Sequence, residues 1–152
     1  MSPSAWVPLL VVGILAVQVV IWIFVAGVIR RQNAALLVVA SKLVADRVAA
    51  GEESLFGPIL CRVRHGHVSS RATVALTDQR LIFHANATQD LPLDTVRSVR
   101  VETWFNGNAR AGFRWVIVKL DEREVGFAAA GTAAESWSKA IQRAAKLDVA
   151  AA

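Results

Sequence analysis

The chain has 152 residues, and its 17 Lys and Arg against 12 Asp and Glu leave a net charge of +5. Cys61 is the single cysteine, so no intrachain disulfide, CxxC pair or four-cysteine zinc site can form, which suits a reducing compartment. The excess of base is modest and fits a domain beside anionic lipid heads better than a dedicated nucleic-acid binder.

Residues 5–29 carry no charged side chain, and Gln18 is their only polar one apart from the tryptophan indoles. As a helix this stretch reaches about 37 Å, enough to cross a hydrocarbon core of roughly 30 Å with some tilt. It is apolar all round, whereas a helix on a soluble core shows one polar face. A cleaved signal peptide needs a basic leader, a shorter apolar run and a small-residue exit. Here the leader is Met1-Ser2-Pro3-Ser4 and the run stops at Arg30-Arg31, which predicts a retained anchor. Arg30, Arg31 and Lys42 follow the span and no basic side chain precedes it, so the positive-inside rule predicts an outside N-terminus and a cytoplasmic C-terminal part. The expected location is the inner (plasma) membrane, crossed once, with Trp6 near the outer interface.

The expected division is an anchor at 1–31, a juxtamembrane helical connector at 32–51, a folded domain at 52–148 and a disordered tail at 149–152. Residues 32–50 read as a helix running on from the anchor and ended by Gly51 as a C-terminal cap. Leu37, Ala40, Val44 and Val48 form one apolar row, and Leu36, Val39 and Leu43 a second. So wide an apolar surface calls for a partner: the membrane interface, another copy or the chain's own domain.

From Gly57 the pattern becomes alternating. Ile59, Cys61 and Val63 alternate with Leu60, Arg62 and Arg64, followed by a turn at His65-Gly66-His67. Residues 71–77 form a second predicted strand, Asp78-Gln79 a tight break, and Leu81-Ile82-Phe83 a third strand. Residues 86–90 read as loop, and Leu91-Pro92-Leu93 as a short extended piece whose proline argues for a sheet edge. Residues 96–105 read as one long strand with Val99, Val101, Thr103 and Phe105 on one face; Asn106-Gly107-Asn108 is a turn. Residues 113–120 and 124–128 are further strands around an Asp121-Glu122 turn. About seven short strands in series predict an antiparallel meander or barrel. A closing helix follows. Thr132 and Glu135 have capping-box spacing; Ala133, Trp137, Ala140, Ile141 and Ala144 recur at helical intervals, with Lys139, Gln142, Arg143 and Lys146 outward. Trp137 is the largest group on the buried face, so this helix is expected to plug an open end of the barrel.

The run Leu76-Thr77-Asp78-Gln79-Arg80-Leu81-Ile82-Phe83, the run from Leu91-Pro92-Leu93 to Val99, and a terminal helix containing Trp137 together resemble bacterial pleckstrin-homology-like (PH-like) and GRAM domains. The resemblance covers roughly residues 51–147. It implies a mainly-β, strongly bent barrel of about seven antiparallel strands, capped by the C-terminal helix behind the transmembrane helix. It also implies a binding module in place of an enzyme.

No acid occurs between Glu53 and Asp78, while Arg62, Arg64, His65, His67 and Arg71 do. The resemblance implies lipid-phosphate contact at this first hairpin, since guanidinium groups make charge-assisted, bidentate bonds to phosphate oxygens. The competing reading is a solvated basic edge that discourages strand pairing. His65-x-His67 has no carboxylate or second cysteine near it in sequence, so no metal site is expected. Nor are Walker, GxGxxG, HExxH or GxSxG patterns present, so no cofactor and no catalysis are expected. Trp104 and Trp115 with Arg100 and Arg114 could imitate a stacking platform for single strands, but packing explains them better and no nucleic-acid partner is expected. The functional expectation is a non-enzymatic single-pass membrane protein whose domain is an interaction scaffold or accessory subunit. The alternatives are an anionic-phospholipid module or a purely structural subunit held through its helices. Besides the lipid bilayer, the expected partner is another membrane protein or a second copy, with anionic phospholipid as a further candidate.

Overall fold

The computed structural model describes residues 6–66, 68–109 and 111–147. The expected tail at 149–152 lies outside them. The chain divides into two compact units, residues 1–35 and 36–152.

The first unit is the leading part of α1 (Trp6–Ala49). Pro8 sits in its first turn, where the missing N–H costs no helical bond. Leu10, Val12, Ile14, Val20, Trp22, Ile23 and Phe24 are all exposed, so apolar side chains face outward in every direction. This is one helix long and apolar enough to cross a membrane.

In the second unit, α1 ends as its glycine predicts. Gly51 adopts φ +98°, a left-handed conformation that costs glycine no Cβ clash. The Glu52 N–H then bonds the Arg47 carbonyl (3.1 Å) and the Gly51 N–H bonds that of Val48 (3.0 Å), satisfying two terminal acceptors. Of the three partners open to residues 36–49, the chain's own domain takes one face. Ala40 and Val44 are buried, and Val44 clusters with Ala75 and Ile82. Arg47 Nη2 bonds Asp90 Oδ2 at 2.6 Å, and Arg80 reaches the same carboxylate oxygen and also Glu52. Glu52 is 6% exposed and accepts the Thr77 hydroxyl at 2.7 Å, so its charge is buried but matched.

The domain is a curled antiparallel sheet of seven strands with a small ribbon and a closing helix. The strands are β1 (Ser54–His65), β2 (Val68–Thr77), β3 (Arg80–His84), β4 (Thr88–Pro92), β5 (Val96–Glu102), β8 (Phe113–Leu120) and β9 (Glu124–Ala130), with β6 (Trp104–Phe105) and β7 (Asn108–Ala109) forming the ribbon. The order across the sheet is β4-β3-β2-β1-β9-β8-β5, so β1 lies between β2 and β9. β1 starts earlier than its alternation suggested, and its register shifts between Ser54 and Ile59. The expected loop at 86–90 is partly strand, because Thr88, Gln89 and Asp90 pair with His84, Phe83 and Ile82. Pro92 does end an edge strand, but Leu93–Thr95 is a single 3₁₀ turn and not extended chain. The expected long strand at 96–105 breaks at Thr103, and Phe105 turns away into the ribbon.

One face of the sheet closes on α2 (Gly131–Ala144). Val74, Leu76, Leu81, Phe83, Val116, Val118, Val125 and Phe127 meet Trp137 and Ile141 there. Trp137 is 1% exposed and packs edge-on against Phe127 (ring centroids 5.3 Å) and Phe56 (4.7 Å). The other face carries a smaller cluster of Phe105, Trp115, Ile117 and Ala128. The expected capping box is absent: β9 runs extended to Ala130, the helix starts at Gly131, and no side chain caps it. Glu135 accepts from Arg114 instead (2.9 Å). Gln142, expected to point outward, donates to the Val99 carbonyl (3.1 Å).

Candidate anion-binding end

Side chains alternate along β1, so Cys61 and Val63 are buried while Arg62 and Arg64 take the opposite face. Burial alone pushes the Cys61 thiol far up its pKa scale and leaves it inert. Arg62 stands opposite Arg71 on β2, and Arg64 opposite Ser69. Directly paired residues share a face, so two guanidinium stems rise side by side from exposed positions. On the other flank, Arg62 and Arg64 pair with Ala128 and Gly126 of β9, which offer no counter-charge.

The strand order then brings distant turns together. Because β9 lies beside β1, the β8–β9 turn reaches the β1–β2 turn, and Arg123 Nη1 donates to His65 Nε2 (3.0 Å). An arginine can only donate, so that ring nitrogen is the acceptor. Asn106 at the ribbon tip donates to the Gly66 carbonyl (3.3 Å), as does Arg64 Nε (3.2 Å). Arg64 and Arg123 therefore bond a carbonyl and a ring nitrogen, not a carboxylate.

Elsewhere on the sheet the arginines are matched. Arg97 binds Asp121 through two nitrogens, Arg100 binds Glu102 and Glu124, and Arg114 binds Glu135. The Arg97 hydrogen bond holds the Asp121 carboxyl below its ordinary range, and that from Arg100 does the same for Glu124. Among the described residues, Arg62, Arg64 and Arg123 make no ion pair. Glu122 and Glu124 flank Arg123 in sequence, and Glu124 is taken up by Arg100. Val68, 71% exposed, and Trp104, 57% exposed, flank this end with apolar surface.

Of the sequence-derived candidates, Arg62, Arg64, His65 and Arg71 thus lie on one hairpin, and His67 lies outside the described residues. Arg123 and Asn106 were not legible as members, since nothing in the sequence links position 123 to 65 or 106 to 66. Trp104 and Trp115 do not make a stacking platform. Trp115 is buried beneath the ribbon with Phe105, while Trp104 faces solvent. Among the described residues no three His, Cys, Asp or Glu side chains cluster as a metal site.

No protein-family model matches the sequence, and no curated protein matches it. Among solved structures the chain is similar to the Vps36 N-terminal PH domain, with a TM-score of 0.50 and 20% identity over 64% of this chain and 81% of that one. The fold is PH-like. Similar chains at lower TM-score are the C-terminal domain of an unknown protein from Leishmania infantum (0.49; 16% identity; 80% of this chain, 98% of that one) and the C-terminal PH domain of human FYVE, RhoGEF and PH domain containing protein 3 (0.47; 14%; 66% and 95%). Such identities speak to the fold alone. Within this PH-like domain, Arg62 and Arg64 sit on the outer face and rim of the β1–β2 hairpin, with Arg123 in the turn beside it.

Proposed function

We propose that this chain is a non-enzymatic, single-pass membrane protein whose PH-like domain binds anionic phosphate groups of lipids at the cytoplasmic face of the plasma membrane. In this reading residues 1–31 anchor the chain, residues 32–51 connect, and residues 52–148 bind. One observation carries the proposal: Arg62 and Arg64 on the first hairpin and Arg123 in the turn beside it, next to Arg71 and His65, have no carboxylate within ion-pair distance among the described residues. Phosphate oxygens would meet these guanidinium groups with charge-assisted bonds. Exposed Trp104 and Val68 suit the boundary between head groups and acyl chains. Arg30 and Arg31 behind the span motivate the inward orientation.

The test is sedimentation of the 36–152 fragment, checked for a cooperative melt, with vesicles of zwitterionic lipid alone or with added phosphatidylserine. Binding should require the anionic lipid and fall with salt. Each arginine near an anionic surface is worth about 1 kcal/mol, so Arg62→Ala/Arg64→Ala/Arg123→Ala should weaken it about a hundredfold. Equal, salt-insensitive partitioning of both proteins would overturn the reading. Orientation is tested separately: an impermeant thiol reagent should not label Gly107→Cys in intact cells.

A further inference from the structure

A second surface lies away from the basic end. Between the start of β1 and the outer side of α2 runs an open groove of about 460 Å³, lined by Leu55, Phe56, Lys139, Ala140, Arg143 and Ala144. Its floor is apolar, and Leu55 is 40% exposed on its wall. Its rim carries Lys139 and Arg143, one helical turn apart on the same side of α2. Both are exposed, and neither has a carboxylate within ion-pair distance among the described residues. Arg114, by contrast, is matched to Glu135 of the same helix.

The adjoining backbone is paired on one side only. β9 pairs only with Arg62–His65 of β1, so the stretch from Ser54 to Cys61 has a strand neighbour on its β2 side alone. The register shifts between Ser54 and Ile59 blunt this edge against a long added strand, as bulges do. A short contact near Leu55 and Phe56 remains open to it.

We infer that this groove docks an extended segment of a partner protein in which apolar side chains alternate with acidic ones. The apolar groups would enter over Phe56 and Ala140, the carboxylates would meet Lys139 and Arg143, and the segment's backbone would find bonding groups on β1. A fatty acid would also match an apolar floor with a cationic rim, but the open groove would leave its chain in water, and it has no use for a strand edge.

The test uses the full chain in zwitterionic nanodiscs and a fluorescein-labelled nonapeptide of alternating glutamate and leucine, read by anisotropy. Saturable binding is expected. Lys139→Glu/Arg143→Glu should weaken it about tenfold or more and create binding of the lysine–leucine counterpart, since reversed charges exchange the preferred partner. Arg62→Ala/Arg64→Ala/Arg123→Ala should leave it unchanged, which separates this groove from the anion-binding end. Three results would each overturn the inference: no saturable binding below about 1 mM, equal binding by the charge-reversed variant, or displacement by decanoate.

Discussion

Arg62 and Arg71 are cross-strand neighbours on the exposed face of the first hairpin. Like charges directly opposite one another destabilise a sheet, in which matched cross-strand pairs contribute about 0.2–1 kcal/mol. Arg62→Glu should therefore raise the stability of the 36–152 fragment by a few tenths of a kcal/mol while weakening its sedimentation with anionic vesicles. Denaturant melts and vesicle binding measured on the same preparation check this. A variant that loses both together would mean that Arg62 serves folding and not a ligand.

The Trp137 ring is the largest group closing the open side of the sheet, held between Phe56 and Phe127. Removing a buried ring of this size costs about 3–5 kcal/mol. For a domain whose whole stability is on the order of 5–15 kcal/mol, Trp137→Ala should lower the melting midpoint steeply. An unchanged midpoint would place the ring outside the core.

Gly126 lies under the ribbon: a Cβ there would meet the Phe105 ring at 2.6 Å. Phe105 is itself buried against Trp115, so it has little room to yield. Gly126→Ala should destabilise the domain by about 1–3 kcal/mol, the usual cost of overpacking. Combined with Phe105→Ala the two losses should be less than additive, because the clash is gone once the ring is removed. A double-mutant cycle by urea melting measures the coupling, and strict additivity would rule out ring contact as the cause.

Asp121 and Glu124 have folded-state pKa values held below their ordinary 3.8 and 4.5 by hydrogen bonds from Arg97 and Arg100. The unfolded chain therefore takes up protons first as pH falls. The stability these groups contribute is complete above their ordinary values and is lost as pH drops through the folded ones. Both pairs are largely exposed, so the effect should be modest and reduced by salt. The melting temperature should fall below about pH 4. Asp121→Asn/Glu124→Gln should flatten that fall and lower the melting temperature at pH 7.

Local patterns in the sequence were enough for a good part of this protein. An uncharged 25-residue run declares a helix long and apolar enough to cross a membrane, alternation declares strands, and Asp78-Gln79 breaks β2 from β3 because a turn needs only its own few residues. Helical spacing put Trp137 on the buried face of α2, and Gly51 marked the end of α1. Each of these depends on neighbours within a turn or a hairpin. Where Glu135 and Gln142 would bond was decided by β8 and β5, far away in sequence, and so local capping and exposure patterns missed it. The docking of Val44 on Ala75 and Ile82 likewise depended on which face of the sheet lacked cover. Above all, the candidate site was only half visible. Arg62, Arg64 and Arg71 belong to one hairpin, but Arg123 and Asn106 arrive because the sheet curls until β9 pairs with β1. That pairing joins segments some sixty residues apart, and no periodicity of either segment encodes it; it is fixed by which closure of the sheet buries the apolar faces of all seven strands together.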